Sequence, residues 1–180
     1  MLVLASQSPR RRELLTLAGL DFIVRAAPVE EIPQAGESPI DYVRRLSQAK
    51  AHAVNVHPGE TILAADTIVV CDGLILEKPR DSWEAAAMLR TLSGRVHQVI
   101  TGLCLRTTDT VRQDHESTLV WFRHLSEAEI KEYIATGEPM DKAGAYGIQG
   151  RASKFIPRVE GCFFNVVGLP LAKVYALLSA

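Results

Sequence analysis

Strand-like apolar runs alternate with segments of helical period along this chain, which predicts an α/β protein built on a mixed sheet. Three observations lead there. Short apolar runs such as Leu2–Ala5 and Thr61–Cys71 lead on to helices that open on Ser-Pro or capping patterns. The pair Asp72-Gly73 is a strong signal for a two-residue hairpin, so antiparallel pairing accompanies the helical crossovers. The 180 residues are 47% hydrophobic and 23% charged, a globular composition long enough to bury one core, so residues 1–180 are read as one domain.

The elements follow in order. Leu2–Ala5 is a short buried strand. Ser8-Pro9 places a hydroxyl at an N-cap and proline at N1 of a helix that carries Leu14, Leu15, Leu17 and Ala18 and stops at Gly19. Phe22–Ala26 is a second strand, and the acidic pair Glu30-Glu31 follows in a proline-flanked loop. Ser38-Pro39 starts a helix to about Val56, with Val43, Leu46, Lys50 and Ala53 on one face. Thr61–Cys71 is a long strand, and Leu74–Lys78 returns from the hairpin. Asp81 and Glu84 cap a helix that ends near Gly94. Val96–Arg106 and Thr110–His124 are two long antiparallel strands, the second irregular around Gln113-Asp114-His115. Ser126 and Glu129 cap another helix through Ile134, closed by Gly137. Asp141–Gly150 is glycine-rich and reads as loop, Gly161–Val167 as a strand and Pro170–Leu178 as a final helix.

Charge and cysteine usage exclude several classes. A net charge of −1 gives no general attraction to nucleic acid or to an anionic membrane. Cys71, Cys104 and Cys162 form no C-x-x-C pair, so they suggest neither a zinc site nor a redox pair, and they read as core-filling thiols of a reducing compartment. No apolar run approaches a membrane span, and Met1–Ala5 is too short for a signal-peptide core. A soluble, cytoplasmic protein is expected.

Candidate chemistry lies in a few places. Arg10, Arg11 and Arg12 occupy the first turn of the first helix, where the dipole disfavours positive charge. Free backbone N–H groups and the Ser8 cap there suit an external anion, and phosphate explains the choice best; a solvated basic helix end is the alternative, and Arg12 beside Glu13 fits it. Asp66, inside an apolar strand, is costly unless paired, metal-bound or at a cleft, or satisfied by backbone donors. With Asp72-Gly73 at the hairpin centre, paired positions sum to 145, which sets Thr67 opposite Lys78, while Asp66 faces the other way. Lys50 either snorkels to the core rim or projects into a phosphate site. Glu30 and Glu31 suit a hard divalent cation, or are simply solvated. His52, His57, His97, His115 and His124 show no ligand spacing and read as structural.

Taken together, Leu4-Ala5-Ser6-Gln7-Ser8-Pro9-Arg10-Arg11, Gln48-Ala49-Lys50-Ala51, Ala65-Asp66-Thr67, Glu77-Lys78-Pro79, Leu92-Ser93-Gly94 and His97-x-Val99 resemble the Maf family of nucleoside triphosphate pyrophosphatases. The resemblance continues through Asp141-Lys142-Ala143-Gly144-Ala145-Tyr146-Gly147-Ile148-Gln149-Gly150 and Val166-Val167-Gly168-Leu169-Pro170, in order over essentially the whole chain. It is nearest the dTTP/UTP pyrophosphatase (YhdE-like) branch. Cys162 stands where many members carry a small hydroxyl residue.

The resemblance implies a two-lobed α/β fold with an elongated mixed sheet, similar to inosine triphosphate pyrophosphatases, and a central substrate cleft. It implies hydrolysis of dTTP and UTP to monophosphate and pyrophosphate with a divalent cation, Mg²⁺ or Mn²⁺. It also implies a role in clearing non-standard nucleotides, a link to arrest of cell division, and a homodimer. By position, Asp66 matches the proton acceptor. Arg10, Thr67 and Gln149 match the pyrimidine-selective positions, and Ser8, Arg11, Lys50 and Lys78 match substrate-binding positions. Glu31 matches a metal-associated carboxylate beside Asp66, with Glu30 as a register alternative. Gln149 can donate and accept together, which suits the O4 and N3–H edge of thymine or uracil. A non-catalytic, nucleotide-sensing regulator of septum formation would need the basic residues but not Asp66. A nucleic-acid-binding module is disfavoured by the net charge.

Overall fold

A computed structural model describes residues 1–179. The elements run β1 (Leu2–Leu4), α1 (Pro9–Leu17), β2 (Phe22–Val24), α2 (Pro39–His52), β3 (Thr61–Cys71), β4 (Leu74–Leu76), α3 (Ser82–Leu92), β5 (Val96–Arg106), β6 (Val111–Trp121), α4 (Glu127–Ala135), β7 (Arg158–Glu160), α5 (Phe163–Val167) and α6 (Leu171–Ser179), with short 3-10 turns at Glu138–Asp141, Ala143–Ala145 and Arg151–Phe155. They build a mixed seven-stranded sheet in the order β2-β1-β3-β5-β6-β7, with β4 paired to β3, flanked by helices. The pairs β1–β2 and β1–β3 are parallel, whereas β3–β4 and β6–β7 are antiparallel. No helix among the described residues is long and apolar enough to cross a membrane.

The chain divides into two compact units. The first comprises residues 1–67, 101–116 and the segment from Gly168 on; the second comprises residues 68–100 and 117–167. In the first unit, Val3, Ala5, Ala51, Val54, Ile62, Ala64 and Cys104 form a fully buried cluster of small and β-branched side chains. Ser38 caps α2 by accepting from the Asp41 N–H at 3.1 Å, and Pro39 pre-sets the first turn. The backbone of α2 lies directly on β5 because Gly102 has no side chain, and a Cβ there would stand 2.3 Å from the Val43 carbonyl oxygen. The far end of α2 is tied by Arg106, whose Nη1 donates to the Ala51 and Val54 carbonyls at 3.0 and 3.1 Å.

In the second unit α3 packs on α4, and His97, Phe122, Tyr146, Phe155 and Tyr133 of α4 are linked by ring contacts. Ser126 and Glu129 form the reciprocal capping box expected of α4, and Gly137 leaves that helix in the left-handed region at φ 75°. His97 is buried against Phe122 and Tyr146, with its Nε2 2.8 Å from the Tyr146 hydroxyl.

Several expectations are corrected. The register sum of 145 holds for Val69↔Leu76, Val70↔Ile75 and Cys71↔Leu74, but β4 ends at Leu76 rather than Lys78. Thr67 and Lys78 are therefore not cross-strand partners. The reason lies just past the ladder, where the Glu77 carbonyl accepts the Gly144 N–H at 3.1 Å and Pro79 has no N–H to give. Gly161–Val167 is not a strand. The strand is β7, one element earlier, and Phe163–Val167 is helical. Gly161 breaks the chain at φ 119°, and Asn165 turns inward to donate to the Val99 carbonyl at 2.9 Å and to Thr118 Oγ1 at 3.0 Å. Strand β7 lies at the sheet edge, where its charged residues Arg158 and Glu160 face solvent. Helix α2 stops at His52, short of Val56, with Ala53 exposed and Ala51 buried in its stead. Strand β2 ends at Val24, and β6 is continuous through Gln113-Asp114-His115. Residues read as loop at 141–150 contain the tight turn Ala143–Ala145.

Burial pushes the His97 imidazole down to about 4. Its pKa in the unfolded chain is about 6.5, so unfolding takes up a proton between those values. The contribution is present above pH 6.5 and is lost as pH falls through 4, amounting to about 3 kcal/mol at most. Denaturant melts across that window should show stability declining with acidification, and His97→Gln should flatten this slope. An unchanged slope in the variant would mean that other groups govern the acid limb.

Candidate active site

Helix α1 begins as its sequence requires, with Ser8 at the N-cap and Pro9 at the first helical position. This start carries Arg11 inward and Arg12 outward to solvent. The Arg11 guanidinium is held at three atoms: Nε donates to the Gly168 carbonyl at 3.0 Å, Nη1 to Ser6 Oγ at 3.1 Å and Nη2 to Thr67 Oγ1 at 3.1 Å. All three acceptors are neutral oxygens, so they fix the plane of the group without cancelling its charge. Burial lowers the Arg11 pKa and the neighbouring Asp66 charge opposes that shift, yet an arginine stays protonated in any working range. A positioned, partly desolvated cation of this kind is what an anion site needs.

Strand β3 supplies the second cluster. Its alternation turns Thr67 toward Arg11 and Asp66 toward Lys50 of α2. Asp66 is only 5% exposed, and its Oδ1 lies 2.6 Å from Lys50 Nζ. The same ammonium lies 2.6 Å from Glu31 Oε1, so the carboxylates of Glu31 and Asp66 converge on one cation. Lys50 therefore neither snorkels freely nor stands alone. Of the acidic loop pair, both exposed, Glu31 is the one whose carboxylate meets Lys50. Among the described residues no group of three or more His, Cys, Asp and Glu side chains gathers as a complete metal cage.

The remaining predicted residues are distributed as follows. Ser8 accepts the Arg11 N–H at 3.5 Å and donates its own N–H to Ser6 Oγ at 3.2 Å. Arg10 is half-buried in the first turn of α1. Lys78 and Gln149 belong to the second unit, where both are exposed, Lys78 just beyond β4 and Gln149 in a turn closed by a bond of 3.1 Å from the Gly150 N–H to the Gly147 carbonyl. Arg11, Thr67, Asp66, Lys50, Glu31 and Ser8 are thus brought together in the first unit.

The whole chain, residues 1–180, matches the family described as Maf-like protein. The chain belongs to the Maf family. Relatives of similar length agree. A protein of Koribacter versatilis, named dTTP/UTP pyrophosphatase, is 51% identical over 98% of this chain and 92% of its own length. One of Anaeromyxobacter dehalogenans with the same name is 54% identical, again over 98% and 92%. Among solved structures, a HAM1 protein from Coxiella burnetii superposes with a TM-score of 0.56 at 15% identity, covering 99% of this chain and 98% of that one. The Staphylococcus aureus Ham1 protein gives 0.53 at 14% identity, covering 99% and 97%. These likenesses establish the shared α/β fold.

Three groups around Arg11 and Thr67 escaped the reading of side-chain chemistry. Ser6 Oγ and the Gly168 carbonyl accept from Arg11, and Thr101 Oγ1 lies 2.9 Å from Thr67 Oγ1. Ser6 and Gly168 lie inside quoted family motifs, which was the available signal. Thr101, a lone hydroxyl in an apolar strand, carried none. If Arg11 is an anion ligand, calorimetric titration with inorganic pyrophosphate should show at least about a tenfold weaker Kd for Arg11→Ala. Arg11→Lys should not restore it, because one ammonium cannot hold three spread acceptors. Unaltered binding in both variants would return Arg11 to a purely structural role.

Proposed function

We propose that this Maf protein hydrolyses dTTP and UTP, and modified pyrimidine nucleotides of the same edge, to the monophosphate and pyrophosphate. The observation that carries the reading is identity near one half, over almost the full length, to proteins bearing that name. The geometry supplies compatible chemistry. Arg11 and Lys50 offer fixed positive charge for phosphate oxygens, and Ser8 adds the donors of a helix start. Asp66 is the buried carboxylate beside them and serves as the proton acceptor. Water oxygen bonds to the α-phosphorus, its proton passes to Asp66, and the α–β bridging P–O bond breaks with its electron pair leaving on pyrophosphate. Lys78 adds charge, and Arg10, Thr67 and Gln149 set base preference, Gln149 by pairing with O4 and N3–H.

The family resemblance also brings a divalent cation, Mg²⁺ or Mn²⁺. The donor set fits it: Glu31 Oε1 and Asp66 Oδ1 already converge on a single positive centre, the Lys50 ammonium, and both are hard oxygens. Glu31 and Asp66 would hold the ion. When bound, it neutralises phosphate oxygens and lowers the pKa of coordinated water. With those carboxylates so engaged, Lys50 would be available to phosphate oxygens. A homodimer and a cytoplasmic location complete the proposal on the same resemblance. A non-catalytic sensor would bind nucleotide without an acceptor such as Asp66, and the buried Asp66–Lys50 pair favours the enzyme.

Incubation with each triphosphate and Mg²⁺ tests the reading. Pyrophosphate, not single phosphates, should appear, and dTTP and UTP should exceed dATP, dGTP, ATP and GTP. Binding without turnover would favour the sensor, and equal purine and pyrimidine rates would remove the base assignment. Asp66→Asn should lose at least about a hundredfold in rate while still binding nucleotide. Gln149→Glu keeps the length but removes the donor, so it should depress dTTP and UTP turnover more than dCTP turnover. An unchanged profile would take Gln149 out of base recognition.

A further inference from the structure

Glu138 has no part in the proposed reaction, yet both oxygens of its carboxylate are engaged beside the second unit's glycine-rich segment. It stands just past α4, after the left-handed Gly137. Its Oε1 accepts the Tyr133 hydroxyl at 2.8 Å and its Oε2 accepts the Arg151 N–H at 3.0 Å. The Tyr133 oxygen in turn accepts the Gly147 N–H at 3.2 Å. Tyr133 is buried, and both burial and the Glu138 contact push its pKa up, so the hydroxyl remains a donor. Residues 147 and 151 are thereby tied into one relay, two positions before and two after Gln149.

The packing is equally close. A Cβ on Gly150 would lie 2.2 Å from Glu138 Oε1, and one on Gly147 would lie 2.6 Å from Lys142 Cε. Lys142 itself donates to the Glu138 carbonyl at 2.7 Å. The two glycines flanking Ile148-Gln149 are therefore places where the chain is pressed against this brace. Gln149 is exposed on the turn so held. An exposed amide on a loose turn discriminates poorly between base edges, because each base can be met by a small shift of backbone. One whose backbone is pinned on both sides pays no such ordering cost and cannot adapt.

We infer that Glu138 and Tyr133 are positioning residues for base selection, fixing the Gly147–Arg151 turn and with it the direction of the Gln149 amide. This rests on the reading of Gln149 given above. The test compares kcat/KM for dTTP with that for the best-used triphosphate whose base lacks the O4 and N3–H edge, in full-length wild type, Gln149→Ala, Tyr133→Phe, Glu138→Gln and Tyr133→Phe/Gln149→Ala. Both substrates are measured on one preparation, so the ratio cancels any loss of folded enzyme. Tyr133→Phe should lower the ratio about fivefold or more, chiefly through the KM for dTTP, the worth of a hydrogen bond or two. Glu138→Gln, which loses one of two acceptor oxygens, should move it in the same direction. The double variant should match Gln149→Ala alone, because Tyr133 acts through Gln149. If the ratio falls in Gln149→Ala but holds in Tyr133→Phe and Glu138→Gln, the inference is overturned while the base reading stands. Independent, multiplying losses in the double variant overturn it as well. If Gln149→Ala leaves the ratio unchanged, the base reading fails and the inference falls with it.

Discussion

Asp66 sits in a strand whose neighbours Ala64, Ala65 and Ile68 are buried, and its carboxylate meets the Lys50 ammonium at 2.6 Å. A carboxylate so placed costs several kcal/mol unless a partner answers it. The partner must come from α2, and α2 can approach only because Gly102 leaves its backbone room beside Val43. The Ser38-Pro39 start sets where α2 begins, and Arg106 holds where it ends. A cap, a glycine and an arginine, none of them chemically reactive in this setting, thus deliver one ammonium to one carboxylate. Such a pair adds little net stability compared with an apolar replacement, and its presence points to use rather than to packing.

Arg11 obeys the complementary rule. Asp66 is given an opposite charge, whereas Arg11 is given three neutral acceptors, Ser6, Thr67 and Gly168. Neutral acceptors restrain the guanidinium at modest cost and leave its field available to a ligand. Position 168 adopts φ 127°, a conformation that L side chains rarely take, so glycine is what lets its carbonyl face Arg11.

Local chemistry explains what could be read in advance. The caps Ser8, Ser38, Asp81 and Ser126, the Asp72-Gly73 turn and the limits of β3 and β5 depend on neighbours in sequence, and all appear as expected. The hairpin register was legible for the same reason, but the length of β4 was not, because it is decided by a bond from Gly144, far along the chain. The misread segment Gly161–Val167 shows the same limit, since Asn165 is pulled inward by Val99 and Thr118. In the site, the charged members stood out as local anomalies. Arginine in a helix's first turn and aspartate in an apolar strand each conflict with their surroundings. Thr101 conflicts with nothing and becomes visible only when the chain is folded.

The charge balance of the first cluster carries the argument one step further. Arg11 and Lys50 are positive and Asp66 and Glu31 negative, so the group is balanced before any substrate arrives. A triphosphate brings several negative charges into surroundings of lower dielectric than water, where an unmatched charge is expensive. Lys50 cannot both remain shared between two carboxylates and neutralise phosphate. Arg10 in the first turn of α1 offers further positive charge, and more is gained if Lys50 is relieved of a carboxylate. The divalent cation proposed above, held by Glu31 and Asp66, would add net positive charge and would leave Lys50 available to phosphate. That is the physical case for coupling the proposed metal to the proposed substrate, rather than treating it as a separate cofactor.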